Sequence, residues 1–138
     1  QSGATQIDTL RENYAVAGVD AELLPFIDDM AAAYAHADLI ICRAGATTVS
    51  ELAAVGAAAL LVPFPHAVDD HQTSNARFLA DREAGWLMPQ PAFTADHLAR
   101  WLQGVQRAEL LHRAQRARAL RSVSATQDIV AACEELAA

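Results

Sequence analysis

Short apolar runs alternate with helically spaced apolar positions along most of the chain. Each run is bounded by polar or turn-forming residues, as the buried strands of parallel sheets are. Strands are therefore predicted at residues 21–26, 39–42, 58–62 and 85–88. Between and after these runs, the spacing of apolar residues predicts a short helix ending at residue 36 and longer helices at residues 8–17, 48–55, 71–83, 94–103, 109–120 and 125–136.

Residues with special backbone preferences mark where several of these elements end. Gly18 and Gly56 follow apolar helical segments and are predicted to stop them. Asp28 or Asp29 is expected to cap the short helix. Pro25 marks the end of the first predicted strand, because proline cannot donate to a central ladder.

Strands that alternate with helices at this spacing predict an α/β fold. The expected architecture is a Rossmann-like parallel sheet flanked by helices, with extra C-terminal helices. Ligands of such folds bind at the carboxyl ends of the strands. The loops that follow predicted strands should therefore meet there, and they cover residues 26–30, 43–51 and 63–75.

The middle loop has the features of an anion-binding turn. A buried strand passes through the small-residue turn Arg43-Ala-Gly-Ala46 into a helix start at Thr47 and Thr48. The unpaired N–H groups of a first helical turn and the helix dipole favour an anion at such a place. The alternative needs no ligand, because Thr48-Val-Ser-Glu51 also fits a capping box.

The third loop is the most polar. His66, Asp69, Asp70 and His71 have the side-chain types of a zinc or manganese site, but adjacent acids at a helix start more often cap the helix and face water. Two amides one helical turn apart, Gln72 and Asn75, both donate and accept, which suits sugar hydroxyls better than a cation. No metal site is predicted.

The sequence totals narrow the classes of function. The chain has 138 residues, enough for one domain, and its net charge of −7 argues against nucleic-acid binding. The absence of lysine excludes a Walker-A loop and a pyridoxal Schiff base, and no cofactor is expected. The C-terminal third is rich in arginine, at Arg100, Arg107, Arg113, Arg116, Arg118 and Arg121. A solvated helix face is predicted for them, with contact to an anionic membrane or a partner as the alternative.

Three separated motifs resemble the C-terminal, donor-binding half of the MurG family. They are Phe26-Ile-Asp-Asp-Met30, Cys42-Arg-Ala-Gly-Ala-Thr-Thr-Val-Ser-Glu51 and Asp69-Asp-His-Gln-x-x-Asn-Ala76. Members of this family are GT-B glycosyltransferases that transfer N-acetylglucosamine from UDP-GlcNAc to lipid I, the undecaprenyl-pyrophosphoryl-MurNAc-pentapeptide, to make lipid II. The resemblance spans nearly the whole chain and keeps the order of the motifs.

The resemblance implies a role for each matching position. Ile27 would pair with uracil through its backbone, and Glu51 would hold the ribose hydroxyls. The diphosphate would lie against the helix start at Ala46, Thr47 and Thr48, followed by Val49 and Ser50. Gln72 and Asn75 would bind the GlcNAc hydroxyls, with His71 beside them.

The resemblance also implies how the whole enzyme works. Residues 1–138 would be the nucleotide-sugar donor-binding domain of an inverting transferase in peptidoglycan synthesis, inactive alone. A preceding strand and the N-terminal acceptor domain, which binds lipid I, would lie before Gln1, and no catalytic residue is expected in this chain. The enzyme would be cytoplasmic and peripheral on the inner membrane. The alternatives are a UDP-GlcNAc epimerase, with Asp69 and Asp70 as acid and base, and a non-catalytic subunit of a split transferase.

Overall fold

The computed structural model describes residues 1–122 and 124–137. Within them the chain forms two compact units, residues 1–33 and the described residues from 34 onward. The elements follow in the order α1 (Ile7–Ala17), α2 (Met30–His36), β1 (Ile40–Cys42), α3 (Ala46–Val55), β2 (Ala59–Leu61), α4 (His71–Ala80), β3 (Trp86–Leu87), α5 (Ala95–Gly104), α6 (Arg107–Ala119) and α7 (Ala125–Ala137). Two short 3-10 helices, Val68–Asp70 and Gln90–Ala92, precede α4 and α5, and the apolar pattern gave no sign of either.

The first unit contains α1 and an extended return segment. Gly18 ends α1 in the left-handed region at φ 64, as predicted. The strand predicted at residues 21–26 is wrong, since no strand forms there. Among the described residues, two backbone hydrogen bonds hold this segment, from Ser2 N–H to Leu24 O at 3.3 Å and from Gly3 N–H to Pro25 O at 3.1 Å. A β-ladder needs a longer partner segment. In the part of the chain that the structure describes, only residues 2 and 3 pair with this segment.

The start of α2 shows which of two neighbouring aspartates is the cap. Asp29 Oδ1 accepts a hydrogen bond from Ala32 N–H at 2.8 Å, three residues further on. This is the geometry of an N-cap side chain, which satisfies one of the unpaired donors of the first turn. The predicted cap is confirmed and belongs to Asp29 rather than Asp28.

The second unit contains a three-stranded parallel sheet in the order β1-β2-β3. The register pairs Ile41 with Leu60 and Leu60 with Trp86, so the three strands run side by side in chain order. The α/β fold with a parallel sheet and flanking helices is confirmed. The central strand is buried throughout, which explains why its apolar run shows no alternation.

The core is built around β2. Leu60, Val62 and Met88 form a buried cluster, and partly buried side chains from β3, from the residue before β1 and from the segment around α5 cover it. Two of those side chains, Trp86 and Trp101, meet edge to face with ring centroids 5.1 Å apart. The largest fully buried side chains are Leu52, Leu60, Leu61 and Leu79.

The arginines of α6 bind carbonyl oxygens of other elements. Arg113 donates to Gly85 O at 2.7 Å, Arg116 to Arg82 O at 2.7 Å, and Arg118 to Ala54 O at 2.9 Å. Arg113 also stacks on the Trp86 ring, 4.2 Å from its centroid. The predicted solvated face is therefore wrong for Arg113, whose side chain is only 18% exposed, whereas Arg116 and Arg118 are exposed as predicted and also donate to carbonyl groups. Their guanidinium groups hold α6 against the ends of β3, α4 and α3.

Candidate functional site

The three strands present their carboxyl ends at one edge of the sheet. Cys42 pairs with Leu61, and Leu61 pairs with Leu87. The ladder continues one residue beyond these pairs, with Val62 N–H donating to Cys42 O at 2.8 Å. The loops from β1 to α3 and from β2 to α4 therefore leave the sheet side by side.

The helix that follows β1 begins earlier than its capping-box pattern predicted. Gly45 is the N-cap, with extended backbone angles of φ −64 and ψ 149, and α3 starts at Ala46. Thr48 is thus the third helical residue and cannot act as the cap, so the predicted capping box with Glu51 is wrong. Small residues carry no apolar periodicity, which is why the pattern placed the start two residues late.

The first turn of α3 opens toward the carboxyl edge without a side-chain cap. Glycine has no side-chain oxygen, and within the described residues no side chain of the N-cap serves the N–H groups of Ala46, Thr47 and Thr48. Ala46 and Thr47 are exposed and Thr48 is half-buried. Three backbone donors at a helix start, together with the helix dipole, form a site suited to an anion.

The next two predicted site residues make hydrogen bonds within the first turn of α3. Val49 is buried in the core, and its N–H donates to Gly45 O at 3.0 Å. The Ser50 hydroxyl donates to Ala46 O at 3.0 Å. Both residues fix the first turn of α3.

Glu51 lies one turn further along α3 and is held by a tyrosine of α2. The Tyr34 hydroxyl donates to Glu51 Oε2 at 3.2 Å, and Tyr34 is buried. Burial, together with the negative charge of Glu51, raises the pKa of Tyr34 to about 12. The hydroxyl therefore stays protonated and keeps donating, which leaves the second carboxylate oxygen of Glu51 for another partner. A tyrosine among alanines was the only sequence sign of this role.

The amides of α4 reach across to the loop that follows β1. Gln72 Oε1 accepts from Ala44 N–H at 3.3 Å and from Phe64 N–H at 2.9 Å. Asn75 Nδ2 donates to Ala44 O at 3.0 Å. The two amides predicted on one helix face therefore both engage Ala44, which is fully buried.

Arg43 joins the same two loops from the other direction. Its Nη1 donates to Val62 O at 3.1 Å and to Pro63 O at 3.3 Å, and its guanidinium lies 5.5 Å from the Phe64 ring centroid. Arg43 was predicted only as part of the turn and not as a site residue. A long cation inside a small-residue turn was the available signal.

The start of α4 has an unusual backbone. Asp69 and Asp70 are both left-handed, at φ 53 and φ 51, a conformation that costs non-glycine residues of order 1 kcal/mol each. The Thr73 hydroxyl donates to Asp70 Oδ1 at 2.6 Å, and His71 is exposed at the helix start. In the part of the chain described, no group of three or more His, Cys, Asp or Glu side chains could hold a metal ion.

Ile27 belongs to the first unit. It is half-buried in the irregular segment between α1 and α2, where no regular element ties up its backbone. The convergence predicted for the loop at residues 26–30 with the other two stays a prediction.

A separate groove of 580 Å³ lies at the opposite, amino edge of the sheet. Its walls come from the ends of α2 and α3, the start of β2 and the first half of α6, and they are mainly alanine and leucine. The exposed ion pair between Arg107 and Asp38, at 3.1 Å, spans its rim.

Comparison with known proteins shows the family of the chain. Residues 1–131 match the family model described as glycosyltransferase family 28 C-terminal domain. The chain belongs to this family. It is 62% identical over its whole length to the UDP-N-acetylglucosamine--N-acetylmuramyl-(pentapeptide) pyrophosphoryl-undecaprenol N-acetylglucosamine transferase of Paracidovorax citrulli, covering 39% of that protein. It is 65% identical over 99% of its length to the protein of the same name from Albidiferax ferrireducens, covering 35%.

A solved structure of the same family has the same fold. The crystal structure of Acinetobacter baumannii MurG matches 98% of the chain with a TM-score of 0.91 and 44% identity. The predicted resemblance to the MurG family, and to the C-terminal half of its fold, is thereby confirmed. The chain spans 42% of that structure and a little over a third of the length of the two transferases, so it corresponds to one part of a family 28 enzyme.

Proposed function

We propose that the chain is the UDP-GlcNAc-binding domain of an inverting N-acetylglucosaminyltransferase that converts lipid I to lipid II. The names of the relatives support this reading, because they describe transfer of N-acetylglucosamine to a lipid-linked N-acetylmuramyl pentapeptide. The observation that carries it is the uncapped first turn of α3 at the carboxyl edge of the sheet. We call the N–H groups of Ala46, Thr47 and Thr48 the diphosphate seat.

The diphosphate seat suits the leaving group of this reaction. An acceptor hydroxyl of lipid I attacks the anomeric carbon, the new C–O bond forms with inversion, and the bond from that carbon to the diphosphate oxygen breaks. UDP leaves with the bonding electrons, so negative charge grows on its phosphate oxygens while a base takes the hydroxyl proton. Donors already aimed at such charge are worth roughly 3 kcal/mol each in a dry site.

Neighbouring residues would recognise the rest of the donor. Glu51 has one oxygen fixed by Tyr34, and its other oxygen can accept from both hydroxyls of a ribose diol. Gln72 Nε2 and Asn75 Oδ1 are the amide atoms opposite those bound to Ala44, and with His71 they would bind the GlcNAc hydroxyls. Ile27 would pair with uracil through its backbone groups.

The remaining parts of the activity are assigned to the longer protein. The base and the lipid I contacts are proposed to lie in an N-terminal acceptor domain. The donor-binding domain, residues 1–138, would bind the donor alone but would not turn it over. We also propose that the enzyme works on the cytoplasmic face of the inner membrane as a peripheral protein. Within the described residues, no helix is both long enough and apolar enough to span a bilayer.

Calorimetry with UDP and UDP-GlcNAc tests the proposal. The wild-type chain should bind both, and Glu51→Ala should weaken UDP binding roughly tenfold, as expected for a lost charged hydrogen-bond partner. Glu12→Ala, a change of an exposed glutamate on α1, is the matched control and should leave the affinity unchanged. Equal affinity of the Glu51→Ala and wild-type chains would count against the site. Incubation with UDP-GlcNAc alone should return it unaltered, whereas an epimerised product would support the epimerase alternative.

A further inference from the structure

Gln72 and Asn75, the two amide side chains of α4, each use one amide atom for hydrogen bonds to the protein backbone. Gln72 Oε1 takes N–H groups from two loops, that of Ala44 after β1 and that of Phe64 after β2. Asn75 Nδ2 donates to the carbonyl oxygen of Ala44. The peptide groups on both sides of the Ala44 Cα are therefore tied to α4.

Ala44 is the residue immediately before the N-cap of α3. It has no exposed surface, so its backbone groups depend on protein partners for their hydrogen bonds. Any shift of Ala44 is passed through Gly45 to Ala46, because two peptide bonds separate them. The position of the diphosphate seat is thus set by side chains of a different helix.

We propose that Gln72 and Asn75 are positioning residues. They hold the N–H groups of the diphosphate seat in the position that binds the diphosphate, in addition to any contact with the sugar. This inference rests on the proposed function. A positioning role and a sugar contact predict different effects on the binding of UDP. Removing these hydrogen bonds should weaken the binding of UDP, a ligand that contains no sugar beyond its ribose.

Hydrogen exchange on the ligand-free chain measures the tie directly. In Gln72→Glu a carboxylate oxygen still accepts, so the Ala44 and Phe64 amides should stay protected as in the wild type. In Gln72→Met the side chain is neutral, similar in size and lacks a strong acceptor. Both amides should then exchange at least roughly tenfold faster, the loss expected for one hydrogen bond. Unchanged protection in Gln72→Met would overturn the proposal.

Calorimetry with UDP measures the consequence for the site. Gln72→Met should weaken UDP binding roughly tenfold. Gln72→Glu and Asn75→Asp form a matched pair, since each adds one negative charge to α4. Only Gln72→Glu keeps its bond to the loops, because the carboxylate introduced by Asn75→Asp has no donor for Ala44 O. UDP should therefore bind Gln72→Glu more tightly than Asn75→Asp.

The outcomes separate this inference from the proposed function. A Gln72→Met chain that binds UDP like the wild type but binds UDP-GlcNAc weakly would leave a sugar contact only and overturn the positioning role. Should Gln72→Met fail to fold, the order of Gln72→Glu and Asn75→Asp decides in its place, and the reverse order overturns the inference. A wild-type chain that bound no UDP would instead contradict the proposed function, and the exchange rates would still report whether the tie exists.

Discussion

The Tyr34 hydroxyl donates to Glu51 Oε2 at 3.2 Å, joining α2 to α3. The donor is buried and the carboxylate is half-buried, so water competes poorly for the bond. Glu51 is thereby fixed through one oxygen while the other remains available. The arrangement resembles that of other functional carboxylates, which a second side chain orients before the ligand arrives.

Tyr34→Phe should weaken UDP binding about fivefold. The change removes only the hydroxyl, and a hydrogen bond of this kind contributes about 1 kcal/mol. The effect should vanish with a UDP analogue that lacks both ribose hydroxyls, because Glu51 is proposed to act on that diol alone. Calorimetry with the two ligands makes the comparison.

Tyr14→Phe, in the middle of α1, is the control for loss of a tyrosine hydroxyl and should bind both ligands like the wild type. Equal weakening of the two ligands by Tyr34→Phe would show that Tyr34 supports the fold rather than the diol contact.

The stability of the chain should fall as the pH rises from about 9 to about 12. Burial raises the pKa of Cys42 from 9.0 to about 11, and burial with the Glu51 charge raises that of Tyr34 from 10.0 to about 12. In these windows the unfolded chain releases protons that the folded chain keeps, so the free energy of unfolding decreases with pH. Few other groups titrate there, because the chain contains no lysine.

Urea unfolding at a series of pH values measures this slope. Cys42→Ala should flatten it between about pH 9 and 11, and Tyr34→Phe should flatten it between about pH 10 and 12. Cys133→Ala changes an exposed thiol on α7 and should leave the slope as it is. A Tyr34→Phe chain with the slope of the wild type would contradict the raised pKa.

The sheet and most helices could be predicted from sequence because their signals are local. A buried strand such as β2 requires an apolar run, and a packed helix requires apolar residues at helical spacing. The strand predicted at residues 21–26 fails because strand formation depends on a partner. An apolar run ending in Pro25 contains no information about whether that partner is present.

The candidate site was predictable in its residue types and less so in its geometry. The pattern correctly placed Gln72 and Asn75 on one helix face. That both reach Ala44 depends on how α4 packs against α3, and sequence spacing does not encode that. The start of α3 was misplaced for a related reason, since Gly45 and Ala46 have neither apolar periodicity nor a capping side chain.

Gly56→Ala should destabilise the chain by about 2 kcal/mol. Gly56 ends α3 at φ 76, where a Cβ is strained, and that Cβ would lie 2.8 Å from Arg118 Cβ. Gly104→Ala is the matched control, because its Cβ would meet no atom within 4 Å. Urea unfolding should show the second variant equal to the wild type or slightly more stable. A Gly56→Ala chain of wild-type stability would mean that α6 moves away at little cost.

Arg118→Met should lower the free energy of unfolding by about 1 kcal/mol. Arg118 Nη1 donates to Ala54 O at 2.9 Å and to Val55 O at 3.1 Å, the carbonyls at the end of α3. A positive charge at a helix C-terminus also interacts favourably with the helix dipole. Methionine keeps the apolar stem of the side chain but removes the hydrogen bonds and the charge. Arg100→Met, at an exposed position of α5, should change the same free energy by less than about 0.5 kcal/mol. If the two variants unfolded alike at the stability of the wild type, water would serve the α3 carbonyls equally well, and the α6 arginines would be better explained as a surface for an anionic partner.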